Sequence, residues 1–147
     1  MARKAISRTV RRLVRDRAHN RCEYCQHSAT YACAPFVCEH VMPRVRGGGN
    51  TLNELAWSCP GCNSHKYAKT HAPDPQTGRI VPFFNPRRQF WSRHFTWTED
   101  YLAIEGRTAT GRATVEALHL NRPELINLRR ALHAIGLHPS SGRSRIR

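Results

Sequence analysis

The sequence predicts a small α+β protein with a metal staple, and three observations carry that prediction. Two Cys-x-x-Cys knuckles, Cys22-Glu23-Tyr24-Cys25 and Cys59-Pro60-Gly61-Cys62, stand on either side of an extended apolar run, PFVCEHV. Helix-period apolar stripes occupy both ends of the chain. A length of 147 residues suits one domain with a modest core, and six cysteines in so short a chain point to an added constraint. The expected boundaries are a core over 1–71, an extension over 72–138 packed on it, and a basic disordered tail over 139–147.

Residues 6–18 read as an amphipathic helix with Ile6, Val10, Leu13 and Val14 on one face, Arg8, Arg11, Arg12 and Arg15 on the others, and Ser7 as cap. After the first knuckle, residues 35–41 form an extended run. Arg46-Gly47-Gly48-Gly49-Asn50 is a loop, because three glycines cost too much entropy inside a regular element. Thr51 to Ser58 is expected as one short helix with Thr51 as cap and Glu54 at the capping-box position. The second knuckle opens another helix, through about Tyr67. Residues 72–75 are expected as a linker, 80–84 as a strand, and 95–106 as a hairpin in which Phe95 and Trp97 alternate. Two helices close the chain, the second starting at Pro123 with Leu125, Leu128, Leu132 and Ile135 on one face.

The formal charge is +14 with a pI near 10.8, and such a surface attracts polyanions, of which nucleic acid is the commonest in a cell. A basic subunit of an acidic complex is the bland alternative. No helix joins a basic face to an aromatic one, so a membrane surface is not the expected partner. The opening MARKAISRTV has no apolar stretch behind its basic residues, and no run nears the roughly 20 apolar residues that span a bilayer. The chain is therefore expected in the cytoplasm, where thiols stay reduced and bind metal more often than they pair.

Each knuckle brings two thiolates to one tetrahedral ion, and Cys22, Cys25, Cys59 and Cys62 complete the closed set of a structural zinc. A closed set has no open position for substrate, so this metal is expected to hold the fold. Cys33 and Cys38 are left over and are expected as small buried hydrophobes.

His40 is the sharpest candidate for chemistry, because a neutral imidazole near pH 7 can take a proton from water. Glu39 offers a hard oxygen to a hydrated divalent cation, and Asn63 offers a neutral one. Strand alternation sends Glu39 and His40 to opposite faces, so a shared site requires a twisted or bulged strand end.

The order Cys-x-x-Cys, then Glu39-His40 with PRxxGG, then LAxSCxxCNxxK resembles the HNH endonuclease family in the zinc-bearing form of its ββα-metal, or His-Me finger, core, which is treble-clef-like. The resemblance covers residues 21–66 closely, and GRATVEALHLNRPEL with LRRAL is similar to the tail of bacterial HNH proteins. It implies divalent-metal-dependent hydrolysis of DNA phosphodiesters. His40 would activate water, Glu39 and Asn63 would hold Mg2+ or Mn2+, and Cys22, Cys25, Cys59 and Cys62 would hold Zn2+. Arg44 and Lys66 become candidate phosphate contacts. One departure stands out: the family's middle asparagine, which ties the loop and orients the histidine, falls on Glu54, with Asn53 one residue earlier. Either Asn53 takes that role by a register shift, or Glu54 substitutes as an acceptor. Tyr67 lies one turn after Asn63, where some relatives carry another ligand.

Further phosphate contacts are expected from Arg11 and Arg15 on the first helix, Arg46 in the loop, and Arg87-Arg88. Trp91, Phe95 and Trp97 are expected in the core rather than on bases. Charge does not distinguish DNA from RNA. The rival reading is a zinc-ribbon DNA-binding module without turnover.

Overall fold

A computed structural model describes residues 4–140, so residues 141–147 of the expected tail lie outside the described residues. The chain divides into two compact units, one of residues 4–70 with 85–87, the other of 71–84 with 88–140.

In the first unit, α1 (Arg8–Arg17) starts at Ser7, whose Oγ accepts from Val10 N at 3.1 Å. Its buried contact is Val14, while two arginines tie it down through backbone carbonyls. Arg17 donates to Leu52 O (2.8 Å) and Leu55 O (2.7 Å), and Arg11 donates to Phe36 O (2.7 Å) with its guanidinium 5.2 Å from the Trp57 ring. Partial burial lowers the Arg17 pKa.

The heart of this unit is a two-stranded antiparallel sheet followed by a helix. β1 (Val37–His40) pairs with β2 (Leu55–Ser58) in the register Val37↔Ser58, Cys38↔Trp57, Glu39↔Ala56, His40↔Leu55, and α2 (Pro60–Lys66) follows at once. The helix expected over Thr51–Ser58 is corrected here. The capping box from Thr51 to Glu54 is present, but it closes only one 3-10 turn, Leu52–Glu54. All of Leu55–Ser58 is buried, which no amphipathic helix achieves, and β1 supplies the backbone partners that let it extend.

The knuckles fix this sheet to the rest of the unit. Glu23 N donates to Trp57 O (2.9 Å) and the Glu23 carboxylate accepts from Trp57 N (2.8 Å), so the first knuckle is bonded to both backbone groups of one β2 residue. Cys59 caps α2, its Sγ accepting from Cys62 N at 3.4 Å, and Pro60 occupies the first helical position.

The second unit has its own core. β3 (His71–Pro73) pairs with β4 (Ile80–Pro82), and β5 (Phe95–Trp97) pairs with β6 (Ile104–Gly106), as expected for the second hairpin. Of the linker expected over 72–75, Ala72 and Pro73 belong to β3, while Asp74 and Pro75 begin the tight turn back to β4. Three helices complete the described part of the unit: α3 (Trp91–His94), α4 (Ala109–Ala117) and α5 (Pro123–Ala134). Trp91 and Phe95 are buried with Phe84, the Phe84–Phe95 rings meeting edge-on at 5.2 Å, so these aromatics fill the core as expected. Gly111 lets α4 lie against the backbone, because a Cβ there would stand 2.0 Å from His94 O.

Asp74 is buried and held by a fork from Arg112, Nε and Nη2 each donating at 2.9 Å. That guanidinium, with the Gln76 amide and the Thr77 hydroxyl, holds the Asp74 carboxyl well below the usual carboxylate range. A carboxyl with a depressed folded pKa adds stability above its unfolded value of about 3.9 and loses it as the pH falls further. Thermal melts are expected to show this unit weakening below about pH 4. Asp74→Asn should melt at a lower temperature at pH 7 and lose that part of the acid dependence. An unchanged acid limb in the variant would show that Asp74 is not its source.

Candidate active site

His40 ends β1, and its ring Nε2 lies 2.9 Å from Asn50 Oδ1 and 3.1 Å from Arg44 Nε. Asn50 ends the glycine loop, and two of the glycines are there for close approach rather than looseness. A Cβ on Gly48 would stand 1.7 Å from Met42 O, and one on Gly49 would stand 2.7 Å from a Glu54 carboxylate oxygen. The loop thus folds back on the residues after β1 and brings Asn50 to a histidine ten positions earlier.

Glu54 is what closes that loop. Its carboxylate accepts from Gly49 N (3.1 Å), Thr51 N (3.1 Å) and Thr51 Oγ1 (2.6 Å), and these bonds, the Thr51 hydroxyl foremost, lower its pKa. Asn53 is exposed and does not supply these bonds. Of the two alternatives for the family asparagine, Glu54 therefore ties the loop, and the amide bonded to the histidine is Asn50. Sequence reasoning placed Asn50 only in a loop. The available signal was an amide directly after glycines whose missing side chains permit close packing.

Glu39 and His40 are successive residues of β1, whose side chains alternate in direction, yet they are close enough for His40 to pull down on the Glu39 pKa. The pairing of β1 with β2 is unbroken over all four positions, so no bulge turns the two side chains to one side. The Glu39 carboxylate is 3 % exposed, accepts from Tyr24 Oη at 2.6 Å, and forms an ion pair with Lys66. Burial raises the Glu39 pKa, with the Lys66 ammonium and the Tyr24 hydroxyl pulling the other way. Burial and the neighbouring Glu39 push the Tyr24 phenol well above its usual value.

Lys66 is 2 % exposed and also donates to His40 O and Val41 O, each at 3.1 Å. The Lys66 ammonium, expected as a phosphate contact, lies inside the protein against a carboxylate and two carbonyls. Asn63 stands three residues before Lys66 on α2, half-buried and on the same side of the helix. Tyr67, next in the chain, is exposed and sits at φ 50°, ψ −128°, a conformation that favours glycine.

The expected nucleic-acid contacts separate in the same way. Arg46 is exposed, as are Arg8 and Arg12 on α1. Arg15 is exposed but paired with Asp16 at 2.9 Å, and Arg11 is committed to Phe36 O and the Trp57 ring. Arg87 is taken by an ion pair with Glu23, while Arg88 is exposed. Arg44 is half-buried beside His40.

The sulfur atoms of Cys22, Cys25, Cys59 and Cys62 all lie within 4.8 Å of one another, and all four residues are buried. Cys25 Sγ and Cys59 Sγ are 3.7 Å apart. A tetrahedron with metal–sulfur bonds of about 2.3 Å has edges of about 3.8 Å, so the set fits zinc. Burial pushes the Cys22 and Cys62 thiols up, while hydrogen bonds from Cys22, Cys25 and Cys62 pull the Cys59 thiol far down. Cys38 is half-buried in β1, but Cys33 is exposed, against the expectation of a buried hydrophobe.

Among the described residues no helix is long and apolar enough to cross a membrane. No curated protein and no solved structure matches the chain. Residues 22–69 match the model of the HNH endonuclease family, a span that opens at the first knuckle cysteine and closes beyond Lys66. The four-cysteine set and the order strand, strand, helix lie inside that span, so over about a third of its length the chain is similar to the HNH endonuclease family.

Proposed function

We propose that the protein is an HNH endonuclease that hydrolyses DNA phosphodiester bonds, with His40 taking the proton of the attacking water. The observation that carries this reading is the setting of His40: a strand-end imidazole whose Nε2 is bonded to an arginine and an amide, inside the family match. With Nε2 donating its hydrogen to Asn50 Oδ1, Nδ1 is the nitrogen that takes the proton of water, and the oxygen gains nucleophilicity toward phosphorus, a contribution of typically 10²–10⁴-fold. The Arg44 guanidinium, 3.1 Å from Nε2, is the cation best set to meet a non-bridging phosphate oxygen. Arg8, Arg12 and Arg46, exposed, would track the flanking phosphates.

Glu39 and Asn63 offer the hard oxygen donors that suit Mg2+ or Mn2+, and the Lys66 ammonium is a stand-in cation on that carboxylate in the structure. When bound there, a divalent ion would supply Lewis-acid polarisation of the phosphate and charge stabilisation at the leaving oxygen.

The test is cleavage of supercoiled plasmid in Mg2+ or Mn2+, beside an EDTA control. His40→Ala is expected to cut at least about 100-fold more slowly while binding DNA with nearly unchanged affinity. Equal cutting by the variant would dismiss His40 as the base, and cutting of RNA alone would move the substrate. A second reading, a zinc-bearing DNA-binding module without turnover, is favoured by the commitment of Glu39 to Lys66. It predicts DNA binding with no cutting in any metal.

A further inference from the structure

We propose that Asn50 and Arg44 are the positioning residues of His40, and that Glu54 holds Asn50 in place for that purpose. The inference rests on the nuclease reading and adds to it the groups that fix the base. The ring nitrogen meets an acceptor, Asn50 Oδ1 at 2.9 Å, and a donor, Arg44 Nε at 3.1 Å. Whichever ring nitrogen carries the hydrogen, Nε2 keeps one partner of the right kind. The ring orientation therefore does not depend on the tautomer, which a single donor or a single acceptor would not achieve.

The pair is itself braced. Arg44 Nη2 donates to Asn50 Oδ1 at 3.0 Å and to Lys4 O at 2.9 Å, and Asn50 Nδ2 donates to the same carbonyl at 2.8 Å. This fixes the amide: turned over, its NH2 group would face a guanidinium and its oxygen a carbonyl. The stretch before α1 is thus tied into the site through the Lys4 carbonyl.

Glu54 acts one layer further out. Its carboxylate accepts from Gly49 N and Thr51 N, the residues on either side of Asn50, so it grips the backbone that presents the amide. Two oxygens accepting from two N–H groups is a task that a carboxylate meets and an amide, with one oxygen, does not. The departure at this position is thereby matched to Asn50: the carboxylate orders the loop, and the amide needed at the ring comes from residue 50.

The experiment compares the wild type with Asn50→Ala and Asn50→Asp in single-turnover plasmid nicking with Mg2+, over a range of protein concentrations. The alanine variant is expected to lower the limiting rate about 100-fold, the loss that displacing a reacting group by about 1 Å produces. Its half-saturating concentration should stay within about twofold of wild type. The aspartate variant keeps an Oδ acceptor and should recover at least about tenfold of that loss. In parallel, 15N histidine NMR of the DNA-free protein should give His40 ring signals of a fixed, hydrogen-bonded ring in the wild type and averaged signals in Asn50→Ala. Nicking by Asn50→Ala within about threefold of wild type, or unchanged ring signals, would overturn the proposal. Should the wild type cut nothing, the nuclease reading falls, and the NMR comparison by itself decides the positioning. If Asn50→Ala does not melt cooperatively, Asn50→Gln, which shifts the amide by one methylene, takes its place with the same expectations.

Discussion

Removal of the metal from the four-cysteine set is expected to abolish the cooperative melting of the unit that carries His40. A structural zinc contributes about 10–16 kcal/mol of apparent binding energy in small zinc domains, as much as or more than the net stability of about 5–15 kcal/mol of a typical domain. The four residues are buried, and their sulfurs all lie within 4.8 Å of one another. The knuckle they form is also what brings Glu23 to the middle of β2. Chelation, or Cys59→Ser, should therefore lose the β1–β2 pairing along with the metal, seen as a lost transition in Trp57 fluorescence. The unit of residues 71–84 and 88–140, with its own aromatic core, should still melt. A cooperative melt of the first unit in a verified metal-free sample would end the structural-zinc account.

The second large effect concerns Lys66. Lys66→Met is expected to destabilise the zinc-loaded protein by about 3–5 kcal/mol in buffer without added Mg2+ or Mn2+, because it strands the Glu39 carboxylate in the interior without its cation. Since Glu39 then favours its protonated form still more strongly in the fold, the loss should deepen as the pH rises above about 4.3. Denaturant unfolding at several pH values reads this directly. The same variant tests the ligand role of Glu39. If that carboxylate can take a divalent cation, Mn2+ should restore part of the lost stability in Lys66→Met and do so at lower concentration than in wild type. No recovery by Mn2+, with the destabilisation present, would make Glu39 an internal anchor and move the cation to other oxygens.

What the sequence disclosed follows the range of the interactions concerned. Ser7 before an apolar stripe, and two Cys-x-x-Cys pairs, are local patterns, and α1 and the four-cysteine cluster stand where those patterns put them. Thr51–Ser58 failed because its capping box is also local, yet the next four residues answer to β1, fifteen and more positions away. The 72–75 segment failed for the same reason: Pro73 and Pro75 read as breakers, while the pairing of β3 with β4 is set by the Asp74 turn. At the site, His40, Glu39 and Lys66 were legible as residue types. Their partners were not, because Tyr24 reaches Glu39 from between two metal ligands and Asn50 reaches His40 over glycines. Lys66 was misread for want of one fact, its depth, which a charged side chain in a basic sequence does not announce.

The distance along the chain between the knuckles makes the four-cysteine set a long-range clasp. Cys25 and Cys59, whose sulfurs touch, are 34 residues apart, and His40, Arg44, Asn50 and Glu54 all lie on the stretch between them. Closing a ring of that length costs about 4 kcal/mol of chain entropy, well within what zinc capture supplies. The segment bearing the candidate base is therefore a loop whose two ends the ion would join. Without an ion on the four sulfurs, that loop would lose the closure that holds its two ends together.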